Sequence, residues 1–194
     1  MKRPLNILIL TWGVFGVCLL LFQALWRLTP LALEPLRSGS LSTVQALIYA
    51  LWVLFNAYAE GYRGFQKRFS PKVVARAAYL AANPRPLHVA LAPAFCMSYF
   101  FASRRAKIVA WSVTLGVIGL VLAVHRLSQP WRGIVDGGVV VGLAWGMAVI
   151  LWLYLKILFG AKPDAPTDLP SSVDAADFAE PQANSRKRTE PNPA

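Results

Sequence analysis

The sequence predicts an all-α integral membrane protein with four transmembrane helices, a cytoplasmic amphipathic helix, a short re-entrant or interfacial segment and a disordered C-terminal tail. Three observations predict it. Apolar residues come in long blocks rather than alternating, and each of four blocks can cross a hydrocarbon core of roughly 30 Å, which takes about 20 helical residues. Only 15% of the residues are charged while 56% are hydrophobic, less charge than soluble domains usually carry. The cations sit in loops between the blocks and favour one side, as topology-setting charges do.

The first span covers about residues 6–26. Lys2 and Arg3 followed by an apolar run mimic a signal peptide, but the run is too long and no small-x-small cleavage site follows. Phe15-Gly16-Val17 before Cys18 is a poor lipoprotein-type cleavage box. An uncleaved anchor is expected. The second span covers about 41–59, with Ser42 and Gln45 spaced as a capping box.

The stretch 60–107 is expected to stay at the interface. Within it, Ser70-Pro71 opens a helix and Asn83-Pro84 stops it. Val73, Val74, Ala77 and Leu80 share one face of that helix; Lys72 and Arg76 share another. Such a helix either lies on anionic headgroups or packs on the spans. His88 to Ser103 is apolar but short, and Pro93 interrupts it. That length suits a re-entrant or interfacial segment.

Charge decides whether 87–103 crosses. If it does not, about 13 cations outside the tail lie inside, against about 4 outside (Arg27, Arg37, Arg126 and Arg132). If it crosses, the split falls to about 10 against 7. Four spans with both termini cytoplasmic follow. The third covers about 108–124 and the fourth about 134–159. Residues 163–194 are rich in Pro, Ser, Asp, Ala and Asn, and are expected to form a disordered cytoplasmic tail. Its first part is acidic and could fold back on the cationic inner surface.

The net charge of +11 suggests nucleic acid at first sight. The basic residues lie in interspan loops, so no nucleic-acid partner is expected. Anionic lipid headgroups are the expected partner of the inner surface. Cys18 and Cys96 form no framework or metal motif, two histidines do not point to a zinc site, and no cofactor or metal is expected.

Three groups of residues are candidates for function. Gly138, Gly142 and Gly146 are four apart on one face of span four, a pattern that permits close helix packing. The partner is either span three, through Gly116 and Gly119, or another protomer. Asp136, near the outer end of the same span, can meet Arg132 and His125. That cluster would bind a polar ligand, relay protons, or simply close the hairpin as a charge pair. Glu60, Arg63, His88 and Arg104 lie on the cationic side. They are the residues a membrane enzyme acting on a lipid phosphate would use, or Glu60 simply pairs with Arg63 or Arg68. Glu60 and Asp136 fall on opposite sides and cannot form a paired-carboxylate catalytic site.

No motif fixes a reaction. The leading expectation is a non-enzymatic scaffold, assembly factor or accessory subunit of a bacterial cytoplasmic membrane. It would work through helix packing, with a homo-oligomer or a membrane-protein partner, and through a basic cytoplasmic surface. The alternatives are a small transporter or channel component and a lipid-phosphate enzyme.

Overall fold

The computed structural model describes residues 2–163 and 165–170, with side chains from Leu5 onward. Among these residues every regular element is helical. The order is α1 (Lys2–Arg37), α2 (Thr43–Asn56), a π-wound segment (Ala57–Phe69), α3 (Ser70–Ala82), α4 (Pro86–Ala90), α5 (Ala92–Cys96), α6 (Arg104–Val124) and α7 (Trp131–Leu158). Three of them, α1, α6 and α7, are long and apolar enough to cross a membrane, with mean hydropathies of 2.4, 2.1 and 2.1. They mark a membrane protein.

The first helix runs past the expected end at residue 26 and passes through Pro30 and Pro35. A proline inside a helix frees the carbonyl four residues back. Pro35 frees Leu31 O, and Gln129 Nε2 donates to that oxygen at 3.3 Å. Re-satisfaction by a neighbouring polar group lets a membrane helix keep its prolines.

The second helix starts at the expected capping box: Gln45 N donates to Ser42 Oγ at 3.3 Å, and Ser42 N donates to Gln45 Oε1 at 3.0 Å. It is 14 residues long as an α-helix. At Ala57 the winding widens to π and continues helically into α3. The ladder ends with Ser70 N donating to Phe65 O, one residue before Pro71, which has no N–H to extend it. Ser70-Pro71 is therefore a change of winding, not a helix start. The Ser70 hydroxyl does not cap; it donates to Gly146 O at 3.2 Å.

Two helices pair with α7 in opposite senses. Thr11 and Tyr154 share a hydrogen bond of 2.8 Å near one end of the bundle, and Pro35 meets Gly133 near the other, so α1 is antiparallel to α7. Tyr49 meets Gly137 and Phe65 meets Gly146, so α2 and the π segment run parallel to α7. The core lies where α3 and α5 fill the space beside the first half of α1. Val14, Val17, Val73, Ala77, Phe95, Cys96 and Ile150 are fully or almost fully buried there. The apolar face of α3 is thus packed on α1, α5 and α7.

The sixth helix stands apart. Only 6% of its apolar window is buried, against 33% for α1 and 28% for α7. Its ties to the rest are local: Tyr99 and Thr114 share a hydrogen bond of 2.6 Å, and Tyr99 lies against Trp111.

The expectation of disorder from residue 163 is corrected at its start. Leu169 is buried in the core, and the backbones of Thr167 and Asp168 are hydrogen-bonded to the body. A single apolar side chain with three polar anchors holds this short piece, which an average over tail composition hides. The remainder of the expected tail, 171–194, lies outside the described residues.

Candidate functional site

The glycine face of α7 is occupied within the chain. A Cβ on Gly138 would lie 2.5 Å from Asn56 Nδ2, one on Gly142 2.8 Å from Glu60 Oε2, and one on Gly146 2.2 Å from Phe65 Cδ1. The partner is α2 with its π extension, neither span three nor a second protomer. The facing residues Asn56, Glu60, Phe65 and Ser70 step by four and then by five. Residues five apart share a face when hydrogen bonds close i to i+5, which is why an α-helical reading of the sequence did not align them. Gly116 and Gly119 of α6, by contrast, have nothing within 4 Å of an added Cβ. With Ser112 and Ala123 they fall at helical spacing on one side of α6, all exposed.

The Asp136 cluster is assembled at the start of α7. Asp136 is 5% exposed, and its Oδ2 is 3.8 Å from Arg132 Nε. That distance is an ion pair but not a hydrogen bond, and both atoms are buried without a hydrogen-bond partner. His125 and Tyr49 lie within electrostatic range of Asp136. His125 Nδ1 sits 3.0 Å from Val121 O, and Tyr49 donates to Ala32 O at 3.1 Å. Gln129 Nε2 donates to Glu34 Oε2 at 2.8 Å and ties this end to α1.

The cationic-side candidates do not converge. Glu60 packs on Gly142, while Arg63 is exposed. The described ion pairs are Lys72–Asp168 and Arg132–Asp136, so the expected pairing of Glu60 with Arg63 or Arg68 is not formed. His88 stacks among Phe95, Phe100 and Phe101, with ring centroids 5.3, 5.7 and 4.5 Å away. Desolvation first, then Arg85 and Arg76, hold its imidazole below the ordinary value. Arg104 is exposed at the first turn of α6, with Ser103 as N-cap. No nucleophile, base and acid meet among these four.

The residue that organises this end is Arg76, which the sequence places on the helix face it shares with Lys72. It is 0% exposed. Nε donates to Phe95 O at 2.7 Å, Nη1 to Thr167 O at 2.7 Å, and Nη2 to Phe101 O at 3.0 Å and Phe100 O at 3.2 Å. The guanidinium also covers the Phe95 ring at 4.3 Å. Burial lowers its pKa to about 10, which leaves it charged near neutrality. Ser98 and Phe101 adopt left-handed φ of 66° and 47°. Those strained turns fold 97–101 around the guanidinium. One cation therefore pins α3, α5, the following loop and the 165–170 segment together. The signal in the sequence was weak: Arg76 sits between Val73-Val74 and Ala77, four residues from Leu80.

Comparison of the chain with protein-family models, with curated proteins and with solved structures gives no match. What the molecule does is argued from its geometry.

Proposed function

We propose that this chain is a non-enzymatic membrane subunit, a scaffold, assembly factor or accessory protein, that holds another membrane protein through α6. In this reading it crosses a bacterial cytoplasmic membrane four times, with α2 and its π extension as the second crossing and both termini in the cytoplasm. The excess of cations at the α3–α6 end favours that orientation.

The observation that carries the proposal is the contrast between two sets of glycines. Exposure of an apolar helix is no argument in lipid, because lipid covers it as well as protein does. Glycine inside a helix, however, costs roughly 1 kcal/mol relative to alanine. In α7 that cost is offset by close approach of α2. In α6, Gly116 and Gly119 bring no such return among the described residues. Small residues on one face of a membrane helix are what a second backbone needs to come near. The occupant that fits is an apolar helix of another membrane protein.

The test is photo-crosslinking from membranes of cells carrying a benzophenone side chain at Ser112 or Gly119, compared with Ile118 or Val121, which are exposed on the far side of the helix. A discrete protein adduct from the first pair but not the second supports the reading. Adducts with lipid alone from all four positions contradict it.

A transporter component is the second reading, favoured by the buried Oδ2 of Asp136, which is ion-paired with Arg132 but makes no hydrogen bond. It requires Asp136→Asn to abolish a transmembrane flux while the fold persists.

A further inference from the structure

Residues 165–170 cross the cationic end of the bundle as a strap. Arg76 Nη1 holds Thr167 O, and Ser103 N donates to Asp168 O at 2.7 Å. The Lys72 ammonium pairs with the Asp168 carboxylate, and Leu169 is buried in the core. Asp168 takes a left-handed φ of 48°, a conformation that Asp adopts more readily than most side chains.

Between the strap and the start of α6 lies an open groove of ≈ 870 Å³. Arg104 and Lys107 line its α6 side, Phe101 and Ala102 lie beside them, and Pro166 to Pro170 form the other wall. Both cations are exposed, and neither belongs to the ion pairs formed among the described residues. Among the described residues the acid on the groove is Asp168, and it belongs to the strap.

The groove opens beside a helix that is apolar and exposed from its second turn, through Ile108, Val109 and Trp111. An anion that settles on Arg104 and Lys107 therefore has apolar surface next to it for hydrocarbon. That combination fits a phospholipid better than free phosphate, which would gain nothing from the apolar side.

We propose that this groove binds the phosphate of an anionic phospholipid through Arg104 and Lys107, reaching Lys72 once Asp168 gives way, so that Asp168 is a resident competitor that lipid displaces from Lys72. The strap then has two states. With Asp168 on Lys72 the site is partly neutralised; with phosphate in place the Asp168 side chain is released while Arg76 and Leu169 keep the backbone docked. The proposal rests on the membrane placement above, which brings this end to the headgroup layer.

The experiment is native mass spectrometry of the full chain in a nonionic detergent, titrated with phosphatidylglycerol and in parallel with phosphatidylcholine. Micelles have no sides, so the result reads the groove independently of orientation, and a wrong topology would leave it intact. Replacing Arg104 and Lys107 together by Gln should weaken phosphatidylglycerol binding by about thirtyfold, two headgroup-level charges' worth. Both side chains are exposed, so this variant keeps the fold. Asp168→Asn should strengthen binding by about fivefold. Phosphatidylcholine binding should respond to neither. Unchanged phosphatidylglycerol affinity in the double variant, or unchanged or weaker affinity in Asp168→Asn with helicity retained, overturns the proposal. Full competition by millimolar inorganic phosphate would overturn the lipid assignment.

Discussion

Alanine at Gly133 probes a close contact between α1 and α7. A Cβ there would lie 2.5 Å from Pro35 Cγ, 2.7 Å from Pro35 Cδ and 2.8 Å from Leu31 O. None of these atoms is the free end of a flexible chain: two belong to a ring and one to the backbone. The helices must separate, and the Gln129 bond to Leu31 O must lengthen with them. Overpacking of this kind costs about 1–3 kcal/mol, and three contacts under 3 Å put this site near the upper end. Alanine returns about 1 kcal/mol in helix propensity. The net loss is about 2 kcal/mol, or about thirtyfold in the ratio of folded to unfolded protein. Gly116→Ala is the internal control: nothing lies within 4 Å, so it should stabilise by up to about 1 kcal/mol. Unfolding in mixed micelles with rising dodecyl sulfate, followed by circular dichroism, reads both. A Gly133→Ala protein as stable as Gly116→Ala would refute the close α1–α7 approach.

Arg76→Leu should destabilise by at least about 3 kcal/mol, because Phe95 O, Thr167 O, Phe100 O and Phe101 O lose their donor together. Arg76→Lys should recover only part, since an ammonium cannot span the same fork; the same micelle titration measures both. His88 is held below the ordinary imidazole value, so the unfolded chain takes up the proton first. Its contribution is complete above about pH 6.5 and is lost as the pH falls through that value towards the folded one. His88→Asn should flatten the stability profile between pH 7 and 5. Cys96 is buried, and burial pushes its thiol up to about 12. A maleimide at pH 7.5 should therefore leave it unlabelled in the folded protein and react within the unfolding transition; prompt labelling of native protein would contradict its placement.

What the sequence carried was local. The Ser42–Gln45 box needs only two residues three apart, and it formed as spaced. The apolar lengths of α1, α6 and α7 are sums over many residues and survive any detail of packing. What it did not carry was winding and long-range satisfaction. The step from Glu60 to Phe65 on one face depends on π winding that no α-helical wheel contains. Continuation of α1 through Pro35 depends on Gln129, almost a hundred residues away. The burial of Arg76 was not legible because a cation among small apolar residues is normally turned outward; here four carbonyls from three distant stretches make burial tolerable. Glu60 and Arg63, three apart, looked like a pair, but the former packs on α7 and the latter projects outward.

The account rests most heavily on an even number of crossings that leaves the α3–α6 end in the cytoplasm. Single cysteines at Ser40, Lys107, Ser128 and Lys162, all exposed loop or helix-end positions, test it with a membrane-impermeant maleimide on sealed vesicles of known orientation. Cys18 and Cys96 are buried and stay silent. Ser40→Cys and Ser128→Cys should label only from the external face, and Lys107→Cys and Lys162→Cys only from the cytoplasmic face. Labelling of Ser40→Cys and Lys162→Cys from the same face would contradict the account.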